Sequence, residues 1–311
     1  MNDERNFRSL YYEKVGCKSV EEKRSLEMLF KDKTLDKNKI SQFCSRFTVP
    51  FVYRSYVWKF LLGVIPAHKS CQEFVMKERT SQYHDLFRCL QTLNIVTDGS
   101  PKEQIVLQMW LLEKFNLMFD REAQLNQEFH QHLLAITRTL ISVFESDVDV
   151  YWIAKGFYEY LKTWYSNIPF LIETTKSVLK REDTTLYSHL TEKNLLNKIP
   201  MDRWFGRCFA GVLHDTSLIR VWDKIIGGSY RVMIFVCSVL LTTMRRVLLT
   251  CANITDILSC VQSLTNETAD VIVNKSLEMW QNHGRSVMPS PVKELRNSAA
   301  VHPTRKPLYH L

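Results

Sequence analysis

Between Met201 and Gly228 the chain reads MDRWFGRCFAGVLHDTSLIRVWDKIIGG, and no other stretch limits its fold so tightly. Trp204, Phe205, Cys208 and Phe209 recur at the i, i+1, i+4, i+5 spacing that lays a broad apolar stripe on one helical face. Asp202, just ahead of that stripe, is the expected N-cap. Gly211 to Ser217 breaks the pattern. Leu218, Val221, Trp222, Ile225 and Ile226 then resume it until Gly227 and Gly228 stop it as C-cap residues. The spacing predicts a helical hairpin with two tryptophans turned toward one core.

The rest of the chain is compatible with more of the same. Glycine and proline number only nine each in 311 residues, and since both punctuate turns and break helices, their scarcity favours helices over strands. A hydrophobic content of 45% is ample for a large core. The longest apolar stretch, Val232 to Leu241, has ten residues, whereas crossing a bilayer takes about 20. It reads as a buried core helix, and no transmembrane segment is expected. The charged start, MNDERNFRS, is not a signal peptide. Eight scattered cysteines without a C-x-x-C pair read as reduced cytosolic thiols, with neither a disulfide frame nor a zinc site. No metal or cofactor is expected.

A net charge of +8 raises nucleic acid or an anionic membrane as partners, but its distribution argues otherwise. From Arg285 onward there are five Lys or Arg against one acid, so about half the excess lies in a tail that also holds four of the nine prolines. Elsewhere no basic block or nucleic-acid signature stands out, and no nucleic-acid partner is expected.

In chain order, Ser19 and Glu22 form a capping-box pattern before Leu26, Leu29 and Phe30, and Asp36 is a candidate cap for a helix with Ile40 and Phe43 inward. Pro50 opens FVYRSYVWKFLLGVIP, in which Val57, Trp58, Leu61 and Leu62 make one face; core packing is the plain reading of Trp58. A helix is expected around Tyr83 to Leu93. Ser146 or Asp147 caps another, and Asp147 with Asp149 are the acids a helix dipole favours in its first turn rather than a catalytic pair.

The order of residue types carries more than their spacing. Trp204 and Phe205, the Leu213 corner, then Arg220, Val221, Trp222 and Asp223 shortly before Gly227 resemble the later half of the TBC domain. That domain is the all-helical module of GTPase-activating proteins for Rab-type small GTPases. His214 stands where the family usually has proline. Arg54, Val57, Trp58, Leu61, Leu62 and Gly63 match the family's opening Arg-x-x-Val/Ile-Trp-x-x-Leu-Leu-Gly pattern. The resemblance implies an all-α fold, a TBC-type domain over 19–283 in two helical halves, 19–165 and 166–283. An N-terminal arm, 1–18, precedes it, and a basic tail without periodicity, 284–311, follows and reads as disordered.

In this family catalysis uses an Ile-x-x-Asp-x-x-Arg motif, whose arginine reaches the transferring phosphoryl group. Ile95 and Asp98 are present here, but Pro101 occupies the arginine position. Proline has neither charge nor donor, and an arginine finger is worth roughly 10³ to 10⁵ in rate. The family's second element, Tyr-x-Gln-Gly-Met, falls on Phe129, Gln131, His132 and Leu133. The glutamine survives; the glycine that permits close backbone approach does not. His130 and His132, two apart, read as exposed side chains and not as metal ligands.

Between these motifs, KEQIVLQMWLLEKFNLMF spreads its apolar residues around most of a helical circumference. Such a helix is either wholly buried or keeps an outward apolar face. On the second alternative, Val106, Met109 and Trp110 are candidate partner-binding residues, with Met109 and Trp110 as exposed anchors.

Within the family, RNFRSLYYEKVG, VDVYWIAKGF, CFAG and RVWDKIIGGS are similar to the non-catalytic branch that supplies the small third subunit of the tuberous sclerosis complex. That similarity implies no catalysis. It implies binding to the coiled coil of hamartin and, through it, to tuberin, which activates GTP hydrolysis on Rheb and restrains TOR signalling. It also implies a cytoplasmic protein recruited to lysosomal or vesicle surfaces. The alternative is an active GTPase-activating protein for a Rab-type small GTPase, using Gln131 with a displaced base such as Lys102 or Arg121. A third reading, a membrane-surface adaptor, would act through the basic tail.

Overall fold

A segment as uniformly apolar as Val232–Thr243 is stable in water only when other helices surround it. The computed structural model, which describes residues 20–97 and 99–284, places it there. In chain order the helices are α1 (Val20–Leu29), α2 (Lys37–Arg46), α3 (Phe51–Leu61), α4 (Gln72–Thr92), α5 (Lys102–Glu113), α6 (Arg121–Leu125), α7 (Glu128–Val143) and α8 (Asp147–Trp164). They continue with α9 (Ile168–Glu182), α10 (Thr184–Glu192), α11 (Met201–Gly206), α12 (Asp215–Ile226), α13 (Val232–Thr243), α14 (Arg245–Leu248), α15 (Ile254–Gln262) and α16 (Asn266–His283). No strand occurs among the described residues. The fold is all-α, as expected. The Ser19 capping box, Asp98, the N-terminal arm and the tail beyond Gly284 lie outside the described residues.

Helix starts follow local chemistry. The carboxylate of Asp36 accepts from the amides of Asn38 and Lys39, and Ser146 accepts from Asp149. Asp202 does not cap α11. Pro200 holds that position and Asp202 falls in the first turn, where its charge suits the dipole. The helix is also shorter than the stripe implied. It ends at Gly206, and Cys208 and Phe209 turn left-handed at φ 49° and 64°. Leaving the helix frees the Cys208 carbonyl to accept from Trp222 Nε1 at 2.9 Å and lets the Phe209 ring meet Phe205 edge-on. Beyond α12, Gly228 takes φ 95° while the carbonyl of Gly227 accepts from the Ser41 hydroxyl. A Cβ on Gly227 would lie 2.7 Å from that of Cys44, so α2 can approach only a glycine.

α13 packs against α9 and α16, and α12, which touches both α13 and α16, also meets α2, α3 and α7. At this crossing sits a fully buried carboxylate, Asp223. Its Oδ1 accepts from Arg54 Nε at 3.0 Å and Trp58 Nε1 at 2.9 Å. Its Oδ2 accepts from Arg54 Nη2 at 3.1 Å and the Val49 amide at 3.2 Å. Arg54 Nη2 also donates to the Val49 carbonyl at 2.6 Å. Around the pair, Trp222 lies 6.3 Å from Trp58 and takes Phe157 edge-on at 5.1 Å. The signature residues Arg54, Trp58, Trp222 and Asp223 are thus one structure. Arg220 stands beside it, donating to Asp270 and Asn274, and Trp204 with Phe205 are buried on α11.

A second crossing joins α7 to α11. His130 and His132 are both buried, which corrects the expectation that they are exposed. The His132 ring fills the space that a side chain at position 206 would need: a Cβ on Gly206 would fall 2.4 Å from Nδ1. The Tyr165 hydroxyl meets Nδ1 at 3.1 Å, and Nε2 has no hydrogen-bond partner among the described residues. Burial, with Arg207 nearby, lowers the imidazole pKa to about 4; Asp202 opposes this and Arg203 adds to it. Burial likewise pushes the Cys44, Cys208 and Cys237 thiols up, so these sulfurs pack as neutral groups.

These crossings make two predictions. Asp223→Asn leaves the buried Arg54 guanidinium uncompensated and is expected to lower unfolding free energy by about 3–5 kcal/mol in urea titration. Restoring neutrality with Arg54→Met on top of it should recover part of that loss. In the unfolded chain His132 takes up its proton near pH 6.5, in the folded chain only near 4. Its contribution is therefore complete above about pH 6.5 and is lost as pH falls toward 4, at about 1.4 kcal/mol for each unit of displacement. Midpoints measured across that range should fall less steeply in His132→Gln.

Candidate functional site

The two positions where the family would place catalytic side chains lie at the ends of α5 and α7. Pro101 is the N-cap of α5, with φ −58° and no side-chain hydrogen bond. Its ring starts the helix and offers nothing to a phosphoryl group. Each nearby cation has a partner on the surface. Lys102 Nζ lies 2.9 Å from the Asp147 carboxylate at the start of α8, and Arg121 Nη1 donates to the Asn94 carbonyl at 3.3 Å. Gln131, in the first turn of α7, turns its amide back to donate to the Leu125 carbonyl at 2.8 Å, bracing the joint between α6 and α7. Asp149 is likewise structural, accepting from Ser55 at 3.0 Å and Lys59 at 2.8 Å. Among the described residues no group of three His, Cys, Asp or Glu side chains is arranged to hold a metal.

Val106, Met109 and Trp110 are core residues, with exposures of 6%, 0% and 2%. The expectation of exposed anchors at Met109 and Trp110 is corrected. α5 packs against α4, α7 and α8, and these neighbours cover its circumference. Trp110 is held in particular detail: Nε1 donates to Glu159 at 3.1 Å, Tyr158 meets the ring edge-on at 5.4 Å, and Lys162 Nζ sits 4.3 Å from its centroid.

The outward apolar surface begins just past the end of that helix. Phe115 and Phe119, in the loop between α5 and α6, are almost fully exposed at 96% and 104%. Met118 is exposed between them, and Leu93 is exposed beside Asn94, to which Arg121 is bonded. This loop is built. Phe115 adopts φ 55°, Asp120 caps α6 at the Ala123 amide, and the buried side chain of Gln124 holds the loop from within. Gln124 Nε2 donates to the Asn116 carbonyl at 2.6 Å while its Oε1 accepts from the Met118 amide at 3.1 Å. A clue lay in the sequence: FNLMF continues the apolar run after Lys114, where the helical spacing no longer has a core to serve.

Residues 52–249 match the Rab-GTPase-TBC domain family. The chain is 38% identical over 283 residues to TBC1 domain family member 7 of Homo sapiens, covering 91% of this chain and 96% of that protein. It is 36% identical to the Xenopus tropicalis protein of the same name over the same shares, and 36% identical to that of Danio rerio over 92% and 98%. Among solved structures, the Ypt/Rab-GAP domain of Gyp1p superposes with a TM-score of 0.56 over 85% of this chain and 98% of that one. At 14% identity that likeness speaks for the fold alone. With the two motif regions, the Arg54–Asp223 junction and the helical order in place, the chain belongs to the Rab-GTPase-TBC domain family.

Proposed function

We propose that this chain is a non-catalytic TBC-domain subunit whose task is to bind and stabilise the coiled coil of hamartin. Through hamartin it joins tuberin, and so supports that complex's GTPase-activating action on Rheb and its restraint of TOR signalling. The observation that carries the non-catalytic reading is Pro101, at the place where the family holds its arginine. Losing a finger removes roughly 10³ to 10⁵ in rate, and the nearby Lys102 and Arg121 are turned to Asp147 and to the Asn94 carbonyl. Gln131 is drawn into the α6–α7 joint instead of toward an attacking water.

The binding reading rests on the preformed apolar loop of Phe115, Met118 and Phe119 with Leu93 beside it. Aromatic side chains that protrude singly are common, but two fully exposed ones in one fastened loop are suited to anchor in the seam of a partner's helices. Binding to hamartin would place the protein in the cytoplasm and bring it to lysosomal or vesicle surfaces with the complex.

Two measurements test this reading. The full chain with Phe115→Asp and Phe119→Asp together should keep its melting midpoint and bind the hamartin coiled coil at least about tenfold more weakly. Unchanged affinity would remove the loop from the interface. In single-turnover assays over a panel of Rab-type GTPases, the wild-type chain should leave the hydrolysis rate at its intrinsic value. Acceleration abolished by Gln131→Ala or Arg121→Ala would make it an enzyme.

A further inference from the structure

The crossing of α7 and α11 that buries His132 also gathers arginines whose charge nothing around them meets. Arg203 lies in the last turn of α11 and Arg207 is its C-cap, one turn further on, so both side chains leave the same side of the helix. Arg203 is exposed and Arg207 half-buried. Neither side chain makes a hydrogen bond or an ion pair among the described residues, and Arg207 Nε is shut off from solvent as well. Arg138 reaches the same place from α7, with its Nε on Glu103 at 2.9 Å.

Two acids stand close by. Glu128, exposed, lies 3.9 Å from His132 Nε2, and Asp202 is exposed in the first turn of α11; neither pairs with Arg203 or Arg207 among the described residues. Burial lowers the pKa of the Arg207 guanidinium, Arg203 and Arg138 lower it further, and Glu128 opposes them less than either adds. At His132 the effect of Arg207 likewise exceeds that of Asp202, and Arg203 adds to it. Positive charge therefore prevails at both positions. Because a guanidinium keeps its proton, the group that relieves it is an anion.

The number of donors selects the kind of anion. A carboxylate presents two oxygens in one plane and is filled by a single guanidinium fork, whereas a phosphate group carries roughly two charges and three acceptor oxygens, enough for donors from two helices. We infer that Arg138, Arg203 and Arg207 form a binding site for the phosphate group of a compact ligand, either a soluble phosphate ester or the headgroup of a membrane lipid. Arg203 and Arg207 hold its oxygens from α11 through their terminal nitrogens, and Arg138 closes from α7. The site uses neither the Phe115–Phe119 loop nor Gln131, which is turned to the Leu125 carbonyl, so it stands apart from the hamartin reading.

The test uses the full chain labelled with ¹⁵N-arginine. The probes are inositol trisphosphate, inositol as its uncharged counterpart, and phosphatidylcholine vesicles that carry either phosphatidylinositol bisphosphate or an equal surface charge of phosphatidylserine. Saturable shifts of the Arg203 and Arg207 Nε–H signals are expected with the trisphosphate and none with inositol. Arg203→Gln and Arg207→Gln should each weaken binding about tenfold, at a melting midpoint that does not fall, since neither side chain has a protein partner to lose. A preference for the bisphosphate vesicles over the phosphatidylserine ones, lost in both variants, makes the lipid headgroup the source; trisphosphate binding without that preference makes it a soluble ester. The proposal is overturned if the trisphosphate does not saturate, if the arginine signals do not respond, or if both variants keep wild-type affinity. A phosphoserine peptide held more tightly than the trisphosphate through the same arginines would overturn the compact ligand in favour of a phosphorylated protein segment.

Discussion

Everything in this domain is arranged about one buried carboxylate. Asp223 accepts four hydrogen bonds, two from Arg54 and one each from Trp58 and the Val49 amide. Each ion would be costly in an apolar interior alone, and the pair is tolerable because every lone pair of the carboxylate is directed at a donor. That requirement fixes the angle of α12 against α3, brings Trp222 to Trp58, and leaves Gly227 where α2 can approach it. Arg54 and Asp223 stand 169 positions apart in the chain. The first half therefore holds a charge that only the second half can neutralise, and neither has a complete core without the other.

The same arrangement leaves the fold independent of what stands at position 101. Pro101 and the crowded turn around Gln131 sit at the ends of α5 and α7, away from the Arg54–Asp223 contact, so their identity can change without disturbing it. The residues that hold the fold and those at the family's catalytic positions are different ones, and family membership alone does not decide activity.

Helices with a clear stripe and a recognisable cap were legible from sequence, among them α2 behind Asp36, α8 behind Ser146 and the uniformly apolar α13. α5 was not. Apolar residues all round a helix fit both full burial and an outward face, and the choice is made by α4, α7 and α8, whose approach no local pattern encodes. His132 shows the same limit: a polar side chain reads as exposed until Gly206, 74 positions later by subtraction, vacates the space its ring occupies. The early end of α11 depended on a tertiary bond, from Trp222 to the Cys208 carbonyl, that outweighs the helical spacing of Cys208 and Phe209. At the family's catalytic positions Pro101 was visible directly, whereas the exposed aromatic loop needed the structure to separate Phe115 from the buried Trp110 five positions before it.

The Gln124 side chain gives that loop a further property. By bonding both Asn116 and Met118 it sets the loop's path before any partner arrives. Fixing a residue's backbone otherwise costs roughly 1–2 kcal/mol of conformational entropy at the moment of association. Here most of that ordering belongs to folding instead, so a partner's helices would meet two rings already in position, and contact area would translate more fully into residence time.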